Sequence, residues 1–137
     1  MQLAVAGAPS AALLRRFALA ALQTSAPARS EITLRVTGAA EARKLNGKYR
    51  TKKYATNVLS FSYGGGRGDV LLCHPVIAKE ARQQGKSLRA HYAHLVVHGI
   101  LHLRGHEHLH KSDAARMERA EIRILRRLGF GDPYQGE

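Results

Sequence analysis

Hydrophobic and polar positions alternate cleanly in one place: Ile32, Leu34 and Val36 interleave with Glu31, Thr33 and Arg35. That is the period of a strand with one buried face, over Glu31–Val36. Upstream, Met1–Ala6 reads as a short strand. Ser10 is then placed to cap a helix over Ala11–Leu22 whose Leu14, Phe17 and Ala21 share one face. Residues 39–46, rich in Ala and charge, read as a helix. Val58–Tyr63 and Asp69–Cys73 are strand-like, and Gly64-Gly65-Gly66-Arg67-Gly68 between them predicts a tight hairpin. Pro75 suits the first turn of a helix running to Gln84. Ser87 is positioned to cap an apolar helix that runs to Leu103. Ser112 is positioned to cap a last helix with Met117, Ile124 and Leu128 on one face and Gly129 past its end. Strands come first and helices last, with no repeat and no linker. The prediction is one α+β domain over 1–137, a small mixed four-stranded sheet with helices packed on it.

Seven of the eight histidines fall between His91 and His110. His98 and His102 are four residues apart in the apolar helix, so both imidazoles leave one face about one turn apart. Gly105 can take the left-handed conformation that ends a helix, which would turn the chain back and return His108 to the same point. Three imidazoles and one open position form the donor set of a catalytic zinc site, here at the end of the central helix, with one Zn2+ per chain. His94 reads as a residue behind the ligands or at the surface. His91, His106 and His110 read as exposed.

Zinc peptidases of the H-E-x-x-H type place a general base directly after the first His. This chain has Gly99 there, which argues for hydrolytic chemistry other than peptide cleavage. The formal charge of +12, from 22 Lys and Arg against 10 Asp and Glu, attracts polyanions, RNA phosphate foremost. Lys48, Tyr49, Arg50, Lys52, Lys53 and Tyr54 mix cations with stacking surfaces. The arginines of the last helix, with Asp113, Glu118 and Glu121, read mainly as a solvated outer face. The single cysteine, Cys73, excludes an intrachain disulfide and a cysteine-based zinc site, and it suits a reducing cytoplasm. No apolar stretch is long enough to span a bilayer. Arg15–Leu22 loosely imitates an export signal, but its helical apolar face reads as integral structure.

Two motifs resemble the YbeY family of bacterial rRNA-maturation endoribonucleases. The family's H-G-x-L-H-L-x-G-[Y/H]-D-H is similar to His98-Gly99-Ile100-Leu101-His102-Leu103-Arg104-Gly105-His106-Glu107-His108, with Glu107 in place of Asp. Its L-N-x-x-Y-R-x-K-D-x-x-T-D-V-L-S-F is similar to Leu45–Phe61, with Lys53 and Asn57 in place of acidic residues. Gly68–Cys73 resembles the strand that follows, so the likeness runs over about residues 31–128.

The resemblance implies zinc ligands at His98, His102 and His108, and at Arg50 a basic residue of ribonuclease action. It implies a zinc-dependent endoribonuclease that cleaves single-stranded RNA in small-subunit rRNA 3′-end maturation and ribosome quality control, with the ribosome as partner. Glu107 is the carboxylate nearest the ligands in sequence, placed behind a histidine or as a base. Two other readings compete: a non-catalytic ribosome assembly factor with structural zinc, and a metallopeptidase-like zinc hydrolase.

Overall fold

The computed structural model describes residues 2–3, 7–22, 31–38, 57–64, 67–103 and 111–134. The strands are β1 (Gln2–Leu3), β2 (Glu31–Thr37), β3 (Val58–Gly64) and β4 (Arg67–Cys73). The helices are α1 (Ala11–Leu22), α2 (His74–Gln84), α3 (Leu88–Leu103) and α4 (Lys111–Arg127). In the sheet order β1-β2-β4-β3, the first three strands run parallel and β3 runs antiparallel to β4. β2 pairs with β4 from Glu31 opposite Arg67 to Thr37 opposite Cys73. The mixed α+β reading therefore holds.

The expected four-stranded sheet is met only in part. The sheet has three strands of seven residues, and among the described residues the opening segment contributes the two-residue pairing of β1 along β2. Apolar character decides which way such a segment faces. It does not decide how many of its backbone groups meet a partner. α4 begins at Lys111, so Ser112 lies inside the helix and not at its cap. The helix read over 39–46 lies outside the described residues.

Local rules hold elsewhere. Ser10 Oγ accepts from Leu13 N at 3.2 Å, and Ser87 Oγ accepts from Ala90 N at 3.0 Å, each satisfying an orphan amide at a helix start. Pro75 stands in the first turn of α2, and Gly85 ends that helix at φ 66°. Lys86 N closes onto Ala81 O at 2.9 Å, the paired-carbonyl stop that needs a left-handed residue.

The core centres on α3, which touches α1, α2, α4, β3 and β4. Its Tyr92, Ala93, Val96, Val97 and Ile100 are fully buried. A helix enclosed on most sides has to be apolar nearly all round, and Leu88–Leu103 is. Leu14, Phe17 and Ala21 of α1 pack into this core with Leu34, Val36, Val70 and Leu72 of the sheet, so the Arg15–Leu22 run belongs to the fold. Each large aliphatic side chain buried this way stabilises by roughly 1.5–3 kcal/mol. α3 is thereby a rigid mount for its polar residues. No helix among the described residues is long and apolar enough to cross a membrane.

Candidate metal centre

The histidines of α3 form one stripe: His91, His94, His98 and His102, at steps of three, four and four. Exposure rises along it. His91 is buried, the side chain of His94 is 14% exposed, that of His98 is 31% exposed, and His102 is exposed. The open end of the stripe is the C-terminal end of α3.

Opposite its middle stands Glu121 of α4, with no exposed side-chain surface. His98 Nδ1 donates to Glu121 Oε2 at 2.5 Å, and His94 Nε2 lies 3.3 Å from Oε1. The Tyr134 hydroxyl donates to Oε1 as well. Burial by itself would push the Glu121 carboxyl up. Hydrogen bonds from His94, His98 and Tyr134 outweigh that and hold it at about 2, so it is ionised at neutral pH. An ionised carboxylate only accepts, so the ring nitrogens facing it carry the protons. In neutral His98 the proton is then on Nδ1 and the metal-binding lone pair on Nε2. This carboxylate–histidine arrangement is the one that commonly orients a metal-ligating ring. The ligand atoms of His94, His98 and Glu121 lie within 4.8 Å of one another, so these three residues are also a group able to hold a metal ion.

Gly99 explains how closely α3 sits on the sheet. A Cβ built there would lie 3.0 Å from Val70 Cγ1 and 3.2 Å from Ser60 Oγ. The residue after His98 faces the sheet, where even a methyl group is crowded. A glutamate at this position would point into β4 and away from the histidines.

The model of the family described as endoribonuclease YbeY matches residues 8–129. This chain belongs to the YbeY family. The endoribonuclease YbeY of Aromatoleum aromaticum is 52% identical over 132 residues, covering 94% of this chain and 83% of that protein. That of Verminephrobacter eiseniae is 52% identical over 125 residues, covering 89% and 79%. A Thermotoga maritima protein solved in solution superposes with a TM-score of 0.60 at 20% identity, over 93% of this chain and 96% of that one. That likeness shows a shared fold.

Of the residues singled out in the YbeY motifs, His98 and His102 lie on α3 one turn apart, as their spacing predicts. His106, Glu107, His108 and His110 lie outside the described residues, as do Lys48, Tyr49, Arg50, Lys52 and Lys53. Asn57, the departure from an acidic residue, donates from Nδ2 to Glu80 Oε1 at 3.0 Å. Glu80 also meets His91 Nε2 at 2.8 Å, so an aspartate at 57 would set two like charges against each other. His91 is thus 4% exposed and not the surface residue its polarity suggested. Burial lowers its pKa more than Glu80 raises it. His74, the first residue of α2, places Nδ1 2.7 Å from the buried Tyr92 hydroxyl of α3.

Two functional residues lie outside the expected set. Glu121, expected on a solvated face, is fully buried. Arg116, Arg119, Arg123, Arg126 and Arg127 do face solvent. The signal was present in the helical period: Glu121 falls four after Met117 and three before Ile124, on the apolar face of α4. Nothing local marked Tyr134.

Proposed function

We propose that this protein is a zinc-dependent endoribonuclease of small-subunit rRNA 3′-end maturation, acting on single-stranded RNA in the cytoplasm with the ribosomal small subunit as partner. His98, His102 and His108 would hold the ion through neutral imidazoles. The observation that carries this reading is Glu121 on His98 Nδ1, which fits the donor set by leaving Nε2 as the ligating atom. Rising exposure toward His102 adds to it, because a reactive site has to admit substrate at one side. When bound, zinc supplies positive charge at the scissile phosphate.

The chain's own groups do the rest. Arg50 grips the phosphate with a planar guanidinium as charge builds on it. Lys48, Lys52 and Lys53 neutralise neighbouring phosphates, and Tyr49 offers a stacking face. Glu107 orients a histidine or takes a proton. The peptidase alternative loses further ground at Gly99, where no acidic side chain would reach the histidines.

A second metal reading has its own observation, the group of His94, His98 and Glu121. An ion there would be closed off by Tyr134 and would break the His98–Glu121 hydrogen bond, which suits a structural role in a ribosome assembly factor. Zinc analysis separates the two. His102→Ala abolishes binding in the first reading and spares it in the second, while His110→Ala spares it in both. Single-turnover cleavage of an rRNA 3′-end fragment, beside a binding curve, then tests catalysis. Arg50→Lys should keep zinc and RNA affinity and lose on the order of 10²–10³ in rate. Cleavage that survives removal of zinc refutes the proposal, and an undiminished Arg50→Lys removes Arg50 from the catalytic role and leaves it ordinary phosphate attraction.

A further inference from the structure

The chain after α4 takes a defined path. Gly129 turns at φ 93°, with Gly129 N donating to Arg126 O at 3.0 Å and Phe130 N to Leu125 O at 2.8 Å. Phe130 then meets Phe17 edge-on at 5.8 Å, anchoring the turn in the core. Lys86 Nζ donates to Pro133 O at 3.2 Å, and Asp132 Oδ1 accepts from Tyr134 N at 2.8 Å. The Gly129, Phe130 and Lys86 contacts hold the segment back against the body of the protein, and the Asp132 contact shapes the turn itself. Tyr134, five residues past the end of the family match, is 42% exposed as a residue. Its hydroxyl nevertheless reaches the fully buried Glu121, and its ring stands edge-on to His94 at 5.2 Å.

The two oxygens of Glu121 have different work. Oε2 takes His98, while Oε1 takes the Tyr134 hydroxyl and the more distant His94. Rotation about the last torsion of a glutamate is soft, so a carboxylate held at one oxygen is poorly aimed at the other. The hydroxyl fixes the plane of the carboxylate and therefore the direction of Oε2.

We propose that Tyr134 is a positioning residue for the metal centre. Its hydroxyl locks the Glu121 carboxylate so that Oε2 stays on His98 Nδ1 and His98 presents Nε2 to the ion. The inference rests on the reading of His98 as a metal ligand. It extends the working part of the site to a residue beyond the family motifs.

Tyr134→Phe removes the hydroxyl and keeps the ring against His94. In the full chain, two measurements decide. Zinc affinity, read by competition with a chromophoric chelator, should fall about tenfold, the low end of the roughly 10–100-fold lost when a group behind a metal-binding histidine is removed. In metal-free protein, the ring ¹⁵N shifts of His98 should move from the Nδ1–H tautomer toward a mixture, while those of His102 stay put. Glu121→Gln should lower zinc affinity more. Adding Tyr134→Phe to it should then change little, because one path carries both effects. Unchanged affinity with an unchanged His98 tautomer overturns the inference, and so do losses that simply add. A wild type that binds no zinc, yet shows the tautomer shift in Tyr134→Phe, refutes His98 as a ligand and upholds the lock on Glu121.

Discussion

Replacing Gly99 by alanine tests the packing that mounts the histidines. An exposed helical position would gain about 1 kcal/mol from this change, since glycine is the poorer helix former. Here the new Cβ would stand 3.0 and 3.4 Å from the two γ-carbons of Val70 and 3.2 Å from Ser60 Oγ. Comfortable carbon contacts lie at about 3.5–4.0 Å, so α3 and β4 must separate by a few tenths of an ångström or more. Val70 has little room to yield. It is fully buried, its side chain is stiff at χ1, and its strand is held between β2 and β3. Overpacking of this kind costs about 1–3 kcal/mol. Subtracting the helical gain leaves a net destabilisation of about 1 kcal/mol, and up to about 2. Urea unfolding of the metal-free protein reads it as a lower midpoint at unchanged slope. Gly99→Ala in a Val70→Ala background should be neutral or stabilising, because the added methyl fills space that the valine vacates. A Gly99→Ala protein more stable than wild type would refute the argument that the sheet excludes a side chain after His98.

Two further outcomes follow from charge. The carboxyl of Glu121 is held at about 2 in the fold against an ordinary 4.5, so it contributes stability above about pH 4.5 that is lost as pH falls toward 2. That contribution is on the order of 3 kcal/mol, and metal-free Glu121→Gln should give a flatter stability curve over the same window. Parallel curves for the two proteins would count against it. Affinity for single-stranded RNA should fall steeply with salt as phosphate counterions are released, with a shallower slope once Lys48, Lys52 and Lys53 are replaced by glutamine. An unaltered slope would leave those lysines outside the RNA contact.

Much of this protein is determined by short-range physics. The alternation in β2, the caps at Ser10 and Ser87, the proline start of α2 and the glycine stops depend on chain neighbours. They are therefore legible without the fold. The spacing of His98 and His102 is legible for the same reason, because a helix turns at a fixed rate whatever surrounds it. Tertiary structure decided what lies opposite. Glu121 is 23 residues from His98 and 13 from Tyr134, and no local rule relates them. Only the packing of α4 on α3 turns an acid among surface arginines into a buried carboxylate, and only the turn at Gly129 with the anchor at Phe130 brings a tyrosine onto it. Gly99 shows the division within one residue. The sequence determined that no base follows His98, and the sheet beneath determined why none fits there: Val70 and Ser60 occupy the space.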